Sequence, residues 1–80
     1  MKKLALVVDD TPYIREDIRD ILEEMGYEVY EANDGLEALK MYKKIKPAVV
    51  TMDINMPNMH GLAATKEISN YDRNAKILIC

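Results

Sequence analysis

The sequence predicts an α/β fold built around a parallel sheet. Two observations carry that prediction. Strand-like stretches alternate with helix-like stretches in the order βαβαβαβ, and alternation at this spacing yields a parallel sheet with right-handed crossovers. The first strand, moreover, is an unbroken apolar run, as expected of a strand covered on both faces.

The elements follow in order. Lys3 to Val8 is that first strand. Thr11 and Pro12 supply an N-cap and an N1 proline for a helix, in which Ile14, Ile18, Ile21, Leu22 and Met25 share one face. Gly26 stops it. Tyr27 to Glu31 alternates as a second strand, and Asn33, Asp34 and Gly35 turn the chain. Leu36, Ala38, Leu39 and Tyr42 mark a second helix that ends near Ile45, with Pro47 close behind. Ala48 to Met52 is a third strand that delivers Asp53 at its end. Asn55 to Gly61 is a loop, Leu62 to Ser69 a short helix, and Ala75 to Cys80 a fourth strand.

Eighty residues fit one domain, spanning 1–80. With 49% apolar and 31% charged residues the composition is globular, and a core this small implies a thin stability margin. A net charge of −3 and a pI near 5.0 speak against a nucleic-acid surface. Lys40, Lys43, Lys44 and Lys46 alternate with apolar positions and read as a solvated helix face. One cysteine, Cys80, rules out an intrachain disulfide and suits a reducing, cytoplasmic setting. No stretch has the length and apolarity of a membrane span or a signal peptide.

Three acids stand at the carboxyl ends of strands: Asp9 and Asp10 after the first, Asp53 after the third. Ligands of open α/β sheets bind at that edge, where strand order reverses. Taken singly, each acid also suits a structural role, either at a helix N-terminus or in a strand-end turn. Taken together, converging carboxylates repel one another unless a cation joins them. Mg2+ takes oxygen ligands and commonly pairs one or two carboxylates with phosphate oxygens. A carboxylate beside it could act as a nucleophile toward phosphorus, although spacing alone does not choose which of the three attacks. Met52, Met56 and Met59 read as packing residues, since thioethers suit soft ions. Tyr30, Tyr42 and Tyr71 read as half-buried packing residues with wet hydroxyls.

The segments Val7 to Asp10, Asn33 to Gly35, Lys46 with Pro47, and Met52 to Pro57 with Gly61 resemble a response-regulator receiver domain. The likeness covers the whole chain and is nearest to single-domain regulators of the chemotaxis type. It implies a flavodoxin-like parallel sheet of order 2-1-3-4-5. It also implies two-component signalling, with Asp53 as phosphoacceptor rather than as part of a turnover enzyme. By the same resemblance Asp10 is the direct Mg2+ ligand, and Asp9 holds metal-bound water or the metal itself. Asn55 offers its backbone carbonyl, while Met56, Pro57 and Gly61 shape the loop. The donor is a phosphohistidine on a sensor histidine kinase or phosphotransfer protein, or a small phosphodonor such as acetyl phosphate.

The family's fifth strand, two further helices, a Thr or Ser just past strand four and a Lys ending strand five all fall beyond Cys80. The expectation is therefore a truncated sheet, incomplete after strand 4, with three helices. Acceptance of a phosphoryl group should be impaired, and the metal site should outlast it, because electrostatic stabilisation dominates such chemistry. Ile77, Leu78 and Ile79 leave an apolar edge, which predicts a homodimer or swapped oligomer through that edge and the exposed sheet face. The alternative function is a receiver-like interaction or oligomerisation module without phosphorylation. A haloacid-dehalogenase-type phosphatase would want an acid two positions after the nucleophile, where this chain has Asn55. His60 suggests a histidine phosphotransfer protein only weakly, because it lies in a loop and reads as a cap.

Overall fold

The computed structural model describes residues 2–56 and 59–80; the sequence reading of Pro57 as a loop-shaping residue lies outside them. Among the described residues the chain forms β1 (Lys3–Val8), α1 (Pro12–Glu24), β2 (Tyr27–Ala32), α2 (Gly35–Ile45), β3 (Val49–Met52), α3 (Gly61–Tyr71) and β4 (Ile77–Ile79). All strand pairs are parallel and the order is β2-β1-β3-β4. This is the flavodoxin-like arrangement, extending as far as β4 and carrying three helices.

The apolar run of β1 explains the layering. Ala5, Leu6, Val7 and Val8 are all buried, and alternate side chains serve opposite faces. Leu6 and Val8 join Ala38 and Tyr42 of α2, Ala64 and Ile68 of α3, and Val50 and Met52 of β3 in the larger core. Ala5 and Val7 join Val29 and Leu22, with Ile18 against them, beneath α1. Helices thus cover both faces, and the interior strands carry the hydrophobic residues that such burial requires.

Several local readings need correction. Thr11 occupies the α1 N-cap but makes no side-chain capping bond; its amide is instead taken by the Asp9 carboxylate at 2.9 Å. On α1, Leu22 is buried and Ile14 and Ile18 are half-buried, whereas Ile21 and Met25 are exposed. A single helix lying over β1 and β2 buries only one side of its apolar stripe, and α1 is the only described helix on that face. The Asn33–Gly35 segment is more than a turn: Asp34 caps α2 by accepting from the Glu37 amide at 2.8 Å, and Glu37 accepts from the Asn33 amide at 2.8 Å. The two bonds tie the first turn of α2 to the two residues before it, Asp34 as the N-cap and Asn33, which Glu37 reaches one residue further back.

Helix α3 runs two residues past the predicted end, to Tyr71, whose ring meets Tyr42 edge-on at 6.4 Å between centroids. Tyr42 is not a half-buried residue with a wet hydroxyl. It is buried, and its hydroxyl donates to Asp72 at 2.7 Å. Burial first, and that bond second, push the phenol up to about 12. Tyr30 and Tyr71 are exposed. Helix α2 ends at Lys46 in the left-handed region, φ 45°, just before Pro47. Lys40, Lys43, Lys44 and Lys46 are exposed, as expected of a solvated face. Regular β4 is shorter than predicted, although Val50 and Cys80 amides extend its ladder to the Lys76 and Met52 carbonyls. Leu78 and Ile79 are exposed on it.

Candidate metal centre at the carboxyl edge of the sheet

Register brings the acids together. Val8 of β1 pairs with Met52 of β3, so the residues that follow each leave the sheet at the same level. The Asp53 amide donates to the Val8 carbonyl at 3.0 Å, and the Asp9 amide to the Ala32 carbonyl at 3.2 Å. Backbone pairing thus continues one residue beyond the strands and fixes both acids.

Asp9, Asp10 and Asp53 each place an oxygen within 4.8 Å of the others. Asp9 is buried, Asp53 half-buried and Asp10 exposed. The Asp53 carboxyl is pushed above its ordinary value. Burial is the largest cause; the charges of Asp9 and Asp10 add to it, and hydrogen bonds from the Asn55 and Ile54 amides work against it. The Asn55 amide lies 3.2 Å from Asp53 Oδ1, an Asx-turn contact that aims the carboxylate.

The donor set suits a hard divalent cation. It consists of closely spaced carboxylate oxygens whose mutual repulsion a cation would relieve, and one of them is buried, where an uncompensated charge is costly. The structure therefore brings together three of the four sequence-predicted site residues by their side chains. Asn55 lies beside them, exposed, and its described contact is made through the amide.

Two glycines hold the neighbouring loop close. A Cβ on Gly61 would overlap the Asp53 carbonyl oxygen and crowd Ile54 Cα, and one on Gly35 would overlap the Met59 carbonyl oxygen. The Gly61 amide donates to the Ile54 carbonyl at 3.0 Å. The start of α3 is thereby packed onto the backbone that carries Asp53, and the start of α2 onto Met59. His60 is the α3 N-cap, its Nδ1 accepting from the Leu62 amide at 3.3 Å. Met52 and Met56 are buried, and Met59 packs against the core, so the methionines are packing residues.

Sequence reasoning missed Arg15. Its Nη1 donates to the Asp9 carbonyl at 2.7 Å, and its Nε pairs with Glu31 at 2.9 Å. Arg19 reaches the same Glu31 at 2.7 Å. Burial alone would raise the Glu31 carboxyl, but the bonds from Arg15 and Arg19 outweigh it and the net shift is downward. An apolar–polar pattern carries no sign that an arginine on a helix will reach back to a strand end.

The family described as the response regulator receiver domain matches residues 5–80. The chemotaxis protein CheY of Thermotoga maritima is 51% identical over 81 residues, which take in 100% of this chain and 68% of that protein. The response regulator TrrA of Thermotoga maritima, solved in complex with Mg2+ and BeF, superposes with a TM-score of 0.92 at 43% identity. That match covers 99% of this chain and 68% of TrrA. A response regulator from Burkholderia pseudomallei, solved with a phosphorylated aspartic acid, a calcium ion and citrate, has a TM-score of 0.87 at 31% identity. That match covers 98% of this chain and 46% of the other. The chain spans about two thirds of the length of the curated relatives it matches, 68% and 64% in two of them. No described helix is long and apolar enough to cross a membrane.

Proposed function

This chain belongs to the response regulator receiver domain family, and from that membership and the geometry of its acids we propose that Asp53 accepts a phosphoryl group in a two-component relay. The observation that carries the reading is the convergence of three carboxylates within 4.8 Å around a half-buried Asp53. An Asp53 carboxylate oxygen attacks phosphorus of a phosphohistidine on a sensor kinase or phosphotransfer protein. The new O–P bond forms as the P–N bond breaks, and the electron pair returns to the imidazole, which takes up a proton. Acetyl phosphate can replace the protein donor, with acetate as leaving group.

Mg2+ is the cation this site would hold, through Asp10 and Asp53, the Asn55 carbonyl, and Asp9 directly or by way of water. When bound it supplies neutralising charge for the transferring group. The protein's own part is positional. The Asn55 and Ile54 amides aim the Asp53 carboxylate, and burial removes part of its hydration. The reading is of a phosphoacceptor and not of a turnover enzyme, acting in the cytoplasm.

Intact mass after incubation with Mg2+ and acetyl phosphate tests it, beside an Asp53→Asn control. A phosphoryl increment confined to the unsubstituted chain supports acceptance at Asp53. No increment, from a folded chain that still binds Mg2+, would leave the alternative of an interaction module. Exposed Leu78 and Ile79 on β4 favour that alternative, with pairing between copies along that strand.

A further inference from the structure

We infer that Arg15 is a positioning residue for the cation site, setting its divalent affinity by tethering the backbone that carries Asp9 and Asp10. The inference rests on the cation-binding reading above and adds to it a residue that touches none of the proposed ligand atoms.

Asp9 stands one residue past the end of β1, where the ladder no longer holds the chain from both sides. Three bonds hold it there, the first continuing the ladder on the β2 side. The Asp9 amide donates to Ala32, its Oδ1 accepts from the Thr11 amide at 2.9 Å, and its carbonyl accepts from Arg15 at 2.7 Å. The first two depend on neighbours that are themselves at the ends of elements. Arg15 differs, because it lies inside α1 and its guanidinium is also fixed by Glu31 of β2 at 2.9 Å. A planar fork can hold two acceptors in one fixed geometry, which a single ammonium cannot. One side chain therefore joins α1, the end of β1 and β2 around the peptide between Asp9 and Asp10. It also neutralises Glu31, a fourth acid close to this edge.

Partners that orient metal ligands typically govern affinity by 10–100-fold. The test is calorimetric titration of the full chain with Mg2+, alongside metal-free thermal midpoints, for wild type, Arg15→Gln, Arg15→Lys and Arg19→Gln. Arg19→Gln is the control, since Arg19 shares the Glu31 pairing but does not reach Asp9. We expect Arg15→Gln to weaken Mg2+ binding about tenfold. Arg15→Lys, which keeps the charge and loses the fork, should weaken it by a smaller factor. Arg19→Gln should bind as wild type does. A purely structural role would lower the midpoint and leave the dissociation constant unmoved.

Wild-type affinity in Arg15→Gln, or in Arg15→Lys if the glutamine variant does not fold, would overturn the inference while the cation site stood. Equal weakening in Arg19→Gln would overturn it too, by assigning the effect to the charge of Glu31. Absence of any saturable Mg2+ site in the wild type would remove the underlying reading itself, a distinct signature.

Discussion

Asp53→Asn should stabilise the metal-free chain and, at the same time, weaken the stabilisation it gains from Mg2+. Two unit charges at the 4.8 Å limit within which these oxygens lie repel by about 1 kcal/mol in water and about 3.5 kcal/mol at an effective dielectric of 20. Asp53 faces Asp9, which is buried, and Asp10, which is exposed and well screened. The amide oxygen of asparagine can still accept from the Asn55 amide, so the turn is kept. The net gain should be about 1–2 kcal/mol, or roughly 5–10 °C in midpoint for a domain of this size. The pH dependence has a definite sign. Because the folded chain holds the Asp53 proton more tightly than the unfolded chain does, this group's favourable contribution is complete below its unfolded value of about 3.9. It is lost as pH rises through the raised folded value. Asparagine removes that loss. Thermal melts in chelator at pH 4 and pH 7 measure it, and melts at saturating Mg2+ measure the converse. For wild type, a cation at 100 times its dissociation constant adds about 2.7 kcal/mol. A metal-free Asp53→Asn chain less stable than wild type at pH 7, or one stabilised by Mg2+ just as strongly, would refute the electrostatic account of the site.

Other perturbations separate the site from the fold. Gly61→Ala places a methyl against main-chain atoms of Asp53 and Ile54, so it should cost about 1–3 kcal/mol and also lower Mg2+ affinity, both readable in one set of melts with and without the ion. Thr51→Val should raise stability by about 1 kcal/mol in urea titration, because Thr51 is buried and its Oγ1 has no hydrogen-bond partner among the described residues. The 80-residue chain should sediment as a dimer or larger species, and Leu78→Lys with Ile79→Lys should return it to monomer, since both side chains are exposed on β4; a monodisperse wild-type monomer would defeat this.

What was legible in the sequence and what was not divides by range. The Leu4–Val8 run and the short apolar stretch before Asp53 could be read as strands because a strand buried on both faces leaves a local record. The acidic convergence was legible because both positions follow strands directly and parallel register aligns strand ends. The Asp34–Glu37 cap is also a local pattern, hidden by the stronger turn signal of Asn33 and Gly35. Tyr42 with Asp72 and Arg15 with Glu31 were not legible, since polar side chains far apart in sequence meet only once the helices are packed. Ile21 and Met25 obey helical periodicity yet are exposed. Periodicity identifies a stripe, and only the covering layer decides how much of it is buried.

The far end of the sheet offers a control for all of these effects. Lys46 ends α2 with φ 45°, at the amino edge of β3 and therefore opposite Asp53. The left-handed region costs a residue with a Cβ about 1–2 kcal/mol, a cost glycine avoids. Lys46→Gly removes that strain but adds freedom to the unfolded chain, and it removes a charge that helps hold Asp72 ionised. The balance should be a gain of about 0.5–1 kcal/mol in denaturant midpoint. Because Lys46 stands at the far end of α2 from Gly35, the residue packed on Met59 beside the site, Mg2+ affinity should not change. A variant that is more stable yet binds the ion as wild type does would show that global stability does not by itself tune the acids. If affinity rose together with stability, the weaker binding expected of Arg15→Gln could no longer be assigned to the tether, because loosening the fold would account for it equally well.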